Sequence, residues 1–225
     1  MSHVFELRQY TLHPGRRDDL IELFDREFVE TQEDVGIAVV GQFRDLDRPD
    51  HFVWVRGFAG MPEREAALSA FYGGPVWAAH KDAANATMID SDDVLLLRPA
   101  SPGTGFPPAD AAAGPALTTA TVYPFTEPVA DATLEFFDRE VEPLLARCGS
   151  HRSALLRTEP SANTYPALPV REGEQVIVRF ARCADRHAHA AAAPVRDQIA
   201  ALLAARSAGP PLELRLEPTT RSSLR

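Results

Sequence analysis

The chain has 225 residues, 45% of them apolar and 24% charged, which is enough apolar material for a proper core in one large domain or two ordinary ones. Acidic residues outnumber basic ones, 32 to 23, and the net charge of −9 repels phosphate backbones and anionic lipid, arguing against nucleic-acid and membrane partners. No apolar run reaches the roughly 18 residues of a spanning helix, Met1-Ser2-His3 begins no secretory signal, and Cys148 and Cys183 make neither a disulfide framework nor a zinc set, so a soluble cytoplasmic protein is expected.

Val4 to Thr11 is rich in β-formers and closes at the turn signal His13-Pro14-Gly15. Arg16 to Glu30 reads as helix, with Leu20, Leu23, Phe24 and Phe28 on one stripe. Gly36 to Arg44 and His51 to Phe58 read as strands across a polar turn. Pro62 to Ala86 reads as a helix broken at Gly73-Gly74-Pro75, and Asp93 to Arg98 as a closing strand. Pro99 to Ala116 is proline, glycine and alanine with little to bury, the composition of a flexible linker. The same order then returns: strand Leu117 to Pro124, helix Asp131 to Ala146 kinked or shortened by Pro143, strands His151 to Thr158 and Gln175 to Arg182, helix Arg186 to Ala205, strand Leu212 to Glu217.

Residue identities repeat with the order. Tyr10 recurs as Tyr123, 113 residues on, and Phe24-Asp25-Arg26-Glu27, Gly36 and Arg44 recur at that same spacing as Phe137-Asp138-Arg139-Glu140, Gly149 and Arg157. Pro75-Val76 and Pro99 recur 119 residues on, as Pro194-Val195 and Pro218, so the second copy carries a net insertion, placed at Asn163 to Val170. Several matches at one spacing indicate a duplication. The division expected is 1–99, a linker 100–116, and a divergent second repeat 117–225. Two βαββαβ units predict an α+β fold of two ferredoxin-like repeats. Strand three carries Val53 and Val55 on one face and Phe52, Trp54 and Phe58 on the other, so each sheet needs a cover on both faces. The antiparallel sheets are expected to face each other as a pseudo-dimeric α/β barrel, within one chain or between two chains of a homo-oligomer.

Glu6-x-Arg8-x-Tyr10, Pro14-Gly15, Gln42-Phe43, the run Phe52 to Phe58, Arg64 and the segment Phe71 to Trp77 together resemble the NIPSNAP family over about residues 3–99. The second copy departs from it: Thr119 and Thr121 replace Glu6 and Arg8, Arg196 replaces Trp77, while Tyr123 stays and Arg179 is aligned with Arg56. The resemblance implies the dimeric α/β-barrel fold and an asymmetry between the halves, but no particular reaction. Relatives by fold include cofactor-free monooxygenases and haem-binding chlorite dismutases, and a shared fold does not transfer chemistry.

The candidate ligand-binding set is Arg8, Tyr10, Trp54, Arg56 and Trp77, with Glu6, Tyr10 and His80 as the candidates for proton chemistry. If the sheets stack, Glu6, Arg8, Tyr10, Trp54 and Arg56 face the space between them, where buried charges need partners and arginine can clamp a carboxylate or enolate. In these roles Arg8 and Arg56 hold the anion, Glu6 is their charge partner or a base, Tyr10 donates, and Trp54 stacks. A second set, Tyr72, Trp77, His80 and Asn85, lies by the Gly-Gly-Pro break. The plain alternative is a structural ion pair with packed aromatics. His187-x-His189 points two ways on a helix and has no third ligand, so no metal is expected. No nucleotide or hydrolase motif occurs and no cofactor is expected; haem has only His80 or His151 as conceivable ligands. The function expected is binding of a small organic molecule in the barrel, with or without a cofactor-independent activity. The rival is an interaction or scaffold module whose barrel is filled. Lys81 is the one lysine against 22 arginines, the usage of a GC-rich bacterial coding sequence.

Overall fold

Alternation along the strands sorts the side chains into two sets, and the fold gives each its own compartment. In the computed structural model, which describes residues 2–107 and 116–224, β1 (Val4–Leu12) sends Phe5 and Leu7 to one side and Glu6, Arg8 and Tyr10 to the other. The chain continues through α1 (Arg17–Leu23), a π-helical turn (Phe24–Phe28), α2 (Val29–Glu33), β2 (Ala38–Asp45), β3 (His51–Phe58), α3 (Met61–Tyr72), α4 (Pro75–Asn85) and β4 (Met88–Pro99). The second half follows with β5 (Leu117–Pro124), α5 (Asp131–Phe136), a second π-helical turn (Phe137–Val141), α6 (Glu142–Arg147), β6 (His151–Thr158), β7 (Val176–Cys183), α7 (Arg186–Ala191), α8 (Ala193–Leu203) and β8 (Leu212–Pro218).

The eight strands close into one antiparallel barrel, in the order β1-β3-β2-β8-β5-β7-β6-β4. Each half contributes four neighbouring strands. The halves join where Phe43–Asp45 of β2 meet Leu216–Pro218 of β8, and where Leu97–Pro99 of β4 meet Leu156–Thr158 of β6. Barrel closure therefore occurs within a single chain, and it leaves no free sheet edge. The interior is filled by an apolar set that includes Leu7, Phe43, Val53, Val55, Leu97, Val178, Phe180 and Leu216, all fully buried. Helices cover the outside, over one core built on Phe24, Phe28, Phe52 and Trp54 and another built on Tyr123, Phe137 and Ile177.

Local sequence explains the matching details. The first helical segment of each half ends in the same way. The amide of Gly36 donates to Glu33 O and that of Ile37 to Gln32 O; Gly149 donates to Ala146 O and Ser150 to Leu145 O. Both glycines have positive φ, 89° and 74°, as this reversal into a strand requires. The two π turns fall on the repeated Phe-Asp-Arg-Glu, where a continuous α-helix was expected. The Arg44–Asp18 ion pair is repeated as Arg157–Asp131. The break at Gly73-Gly74-Pro75 lies where expected, with Pro75 opening α4. β4 begins five residues before the expected Asp93.

Strand register refines the alignment of the halves. Arg8 faces Trp54 across β1 and β3, and Thr121 faces Arg179 across β5 and β7. Arg179 is therefore the counterpart of Trp54, and Ala181, opposite Thr119, is that of Arg56. This corrects the expected match of Arg179 with Arg56. The second-half connection between its middle strands runs over 159–175, against 46–50 in the first half, and this long insertion displaces the simple spacing. Of the expected linker, residues 108–115 lie outside the described residues. The part before them is held to the barrel: Thr104 Oγ1 donates to Leu155 O at 2.8 Å, and the Phe106 ring lies 5.3 Å from Phe5 and 4.9 Å from Phe180.

A filled interior has a measurable consequence. Phe180→Ala should lower the unfolding free energy by about 3–5 kcal/mol in urea titrations, the cost of emptying a packed aromatic site. A change below about 1 kcal/mol would contradict the packing described.

Candidate functional site

The polar residues of β1 and β3 lie outside the barrel, beneath the helices of the first half, and not between the sheets as expected. The reason is chemical. The barrel interior offers apolar partners, whereas the helix side brings Gln32, Arg64 and Tyr72 to meet the charges. Glu6 is fully buried and stands opposite Arg56 in the β1–β3 ladder. Its Oε2 accepts from Arg8 Nη1 and Arg56 Nε, both at 2.7 Å, and its Oε1 accepts from Arg64 Nε at 2.6 Å. Arg64 enters from the first turn of α3, whose Pro62 and Gly60 fix the start of the helix. All three arginines are at most 1% exposed.

The outer ends of the guanidinium groups reach different partners. Arg8 Nε donates to the Tyr10 hydroxyl at 3.0 Å, and Arg56 Nη1 lies 3.4 Å from the Tyr72 hydroxyl. Arg64 Nη1 donates to Asn163 Oδ1 at 3.0 Å and Thr164 Oγ1 at 3.3 Å, both from the 159–175 insertion of the second half. Tyr165, next in that segment, stacks on Tyr72 with ring centroids 6.1 Å apart, and Leu168 packs into the same core. Three buried groups are left over: Arg64 Nη2, Trp54 Nε1 and both polar atoms of Gln42, which stands opposite Trp54 on β2, have no hydrogen-bond partner. Arg56 Nη2 lies 2.7 Å from Glu6 Oε2 as an ion pair, outside hydrogen-bonding geometry.

Charge decides what these residues can do. Desolvation alone would raise the Glu6 carboxyl, but the Arg56, Arg8 and Arg64 guanidinium groups outweigh it and hold the carboxyl far below the usual carboxylate range. Glu6 is thus a fixed anion and a poor base, which narrows its expected role to charge partner. Burial pushes the Tyr10 phenol up, against the pull of Arg8, so it stays a neutral donor. Trp54 is already engaged: Arg56 and Arg8 lie over its ring at 5.1 and 5.7 Å, and Phe24 sits at 4.8 Å. It offers its orphaned N–H, not a free face.

The second candidate set is divided by the structure. Tyr72 joins the arginine cluster. Trp77 is half-buried and packs on Phe28, Phe71 and Tyr72. His80 lies near the surface 3.5 Å from Glu27, and Asn85 is exposed. His187 is exposed and His189 is buried 3.0 Å from Glu213; among the described residues no group of three His, Cys, Asp or Glu could hold a metal ion. Burial raises the Cys183 thiol. No helix among the described residues is long and apolar enough to cross a membrane.

The equivalent surface of the second half is electrically closed. Thr119 and Thr121 replace Glu6 and Arg8, and Arg179 meets Glu142 through two bonds, of 2.8 and 3.1 Å, with Ser150 Oγ at 2.9 Å. Arg152 also lies 3.5 Å from Glu142 and pairs with Asp138, so two guanidinium groups there meet two carboxylates, whereas in the first half three face one. Arg64 and the Asn163–Tyr165 segment were not singled out from sequence as site residues. Their signals were Arg64 in the family-like pattern and the shift in repeat spacing, neither of which says where those residues pack. A separate cavity of about 1990 Å³ opens at the barrel mouth by Phe5, Val40 and Phe106, with Pro107 and Ala116 also in its wall.

Residues 5–102 match the NIPSNAP family model, so the first half of the chain carries a NIPSNAP domain. No curated protein matches the chain. Among solved structures, a candidate monooxygenase from Fusobacterium nucleatum is 8% identical, with a TM-score of 0.60 over 96% of this chain and 92% of that one. An anthrone oxidase-like protein is 16% identical, with a TM-score of 0.59 over 97% of this chain and 92% of that one. A NIPSNAP family protein of unknown function from Agrobacterium tumefaciens is 19% identical over 45% of this chain and 93% of that one, with a TM-score of 0.41. The two longer likenesses describe a shared fold.

Glu6→Gln should destabilise the protein by about 3–5 kcal/mol at pH 7, because three guanidinium groups lose their buried counter-ion. The folded-state carboxyl titrates below the unfolded value of about 4.3, so its stabilisation is fully present above that value and is lost as pH falls below it. The difference between wild type and Glu6→Gln, measured in urea, should be flat from pH 8 to about pH 5 and shrink toward pH 3. A difference that stays constant down to pH 3 would contradict this account of Glu6.

Proposed function

We propose that the protein binds a small planar aromatic anion against the Arg8, Arg56 and Arg64 cluster of its first half. The observation that carries this is the charge imbalance: three fully buried guanidinium groups share one carboxylate, and Arg64 Nη2 lacks an acceptor. An isolated buried charge is costly, and an anion that bridges Arg56 and Arg64 would lower that cost. The class of ligand follows from what now lies on the site. The 163–165 segment places a side-chain carbonyl oxygen on Arg64 and an aromatic ring on Tyr72, the two features of an aryl carboxylate or phenolate. A ligand would take their place on Arg64 and Tyr72 when the segment lifts. Names of structural neighbours, a candidate monooxygenase and an anthrone oxidase-like protein, make planar aromatics the first class to try. With Glu6 held ionised and Tyr10 held protonated, these residues support binding and orientation of an anion more readily than proton abstraction.

In this reading the two halves are divergent ferredoxin-like repeats, 1–99 and 117–225, and duplication has left one half with a binding site and the other with a balanced ion pair. The repeated helix ends, π turns and Asp–Arg bridges support it. The rival, an interaction module with no ligand, draws its support from the packed barrel interior.

Thermal shift with 2-naphthoate and its uncharged analogue naphthalene-2-carboxamide separates the two. The carboxylate alone should raise Tm, by several degrees at saturating concentration, and Arg64→Met or the pair Arg8→Met and Arg56→Met should abolish the rise in chains that still fold. Equal responses to both compounds, or an unchanged rise in Arg64→Met, would favour the interaction module.

A further inference from the structure

Arg64 is fully buried, yet the stretch of chain that covers it is not: every residue of 160–170 is half-buried or exposed. That stretch is fastened at its two ends. The amide of Glu159 donates to Leu96 O and that of Arg171 to Val94 O, each at 2.9 Å, so both feet stand on β4. Thr158 Oγ1 donates to Glu174 O and accepts from Val176 N, again at 2.9 Å, which closes the base of the connection. Between the feet, among the described residues, no main-chain hydrogen bond joins 160–170 to the first half. A segment with exposed residues and no ladder bonds belongs to the part of a fold that opens locally at least cost.

The same stretch is stiff within itself. Pro160, Pro166 and Pro169 each fix a backbone angle, and Asn163 ties the tip together. Its Nδ2 donates to Leu168 O at 2.9 Å and its Oδ1 accepts from Tyr165 N at 3.0 Å, while Leu168 N donates to Tyr165 O at 3.0 Å. The tip is held to the first half by side chains alone. Asn163 and Thr164 accept from Arg64 Nη1, Thr164 Oγ1 donates to Met61 O at 3.4 Å, Tyr165 stacks on Tyr72, and Leu168 packs on the core. A preformed tip on fixed feet can leave and return as one piece, without refolding.

We propose that residues 160–170 form an autoinhibitory strap, by which the second half of the chain regulates access to the arginine cluster of the first. The inference rests on the aryl-anion reading above and adds to it that strap and ligand exclude one another. When the strap is closed, Asn163 Oδ1 holds the acceptor position on Arg64 and the Tyr165 ring covers Tyr72. When it is open, both positions are vacant. The fraction of chains with the strap open therefore sets the apparent affinity of the site, and Asn163 and Tyr165 are its internal competitors. The closed strap also answers the cost of the empty site, since Asn163 and Thr164 give a buried cation neutral acceptors until a charged one arrives.

Two readouts on the full chain test this, with wild type set against the double variant Asn163→Ala, Tyr165→Ala. In the first, phenylglyoxal, which modifies accessible arginines, is applied under single-hit conditions and Arg64 is followed by peptide mass. Arg64 should react about tenfold or more faster in the variant, while Arg179, buried in the second half, keeps its wild-type rate and reports an intact fold. In the second, isothermal titration with 2-naphthoate should show binding about tenfold or more tighter in the variant, because the competitor is gone. An unchanged Arg64 rate would overturn the strap. So would naphthoate binding to the variant as weakly as to wild type or more weakly, which would make Asn163 and Tyr165 part of the ligand's own site. Faster Arg64 modification with no naphthoate binding to either chain would uphold the opening of the strap and overturn the aryl-anion reading instead.

Discussion

One carboxylate held among three guanidinium groups, sealed from water, organises the first half of this protein. Glu6 ties β1 to β3 through Arg8 and Arg56 and ties the sheet to α3 through Arg64. A buried ion pair normally breaks even only when every hydrogen bond is satisfied. Here the carboxylate is saturated and the cations are not. The excess positive charge is therefore the feature that requires explanation, and an anion from outside the chain is the explanation we propose.

The two halves show what a balanced version looks like. The second half presents the same helix-covered surface, yet replaces Glu6 and Arg8 with threonines and gives Arg179 a two-pronged bond to Glu142. Nothing is left over at that guanidinium but hydrogen bonds to Ser150. What the second half has gained is the long 159–175 connection, and it spends that length on the first half: Asn163 and Thr164 sit on Arg64, Tyr165 on Tyr72, and Arg171 pairs with Asp93. The asymmetry is thus cooperative. One half keeps the charged surface and the other supplies its cover.

Much of the architecture was legible because it rests on local rules. Alternation marked the strands, the Gly-Gly-Pro break divided the second helix, and glycines at equal spacing marked equal helix ends. The π turns at Phe24–Phe28 and Phe137–Val141 were not legible, since a stripe spaced for an α-helix does not record one extra residue in a turn. Alternation puts the polar set of β1 and β3 on one face, but that face lies under the helices and not between the sheets. Alternation says which residues share a face, and only the partners on other elements say which face becomes the interior. Phe5, Leu7, Val53 and Val55 could fill a barrel unaided, whereas Glu6, Arg8 and Arg56 needed Arg64 and Gln32, which only the helices bring. Arg64 and Tyr165 are not legible for a related reason: their roles depend on long-range packing that spacing does not encode.

The most direct measurement is an anomalous-scattering map from crystals grown in sodium bromide. The account predicts a bromide peak within contact distance of Arg64 Nη2, with the Asn163 side chain displaced from Arg64. A map with no anion there, and the three guanidinium groups unchanged around Glu6, would contradict it.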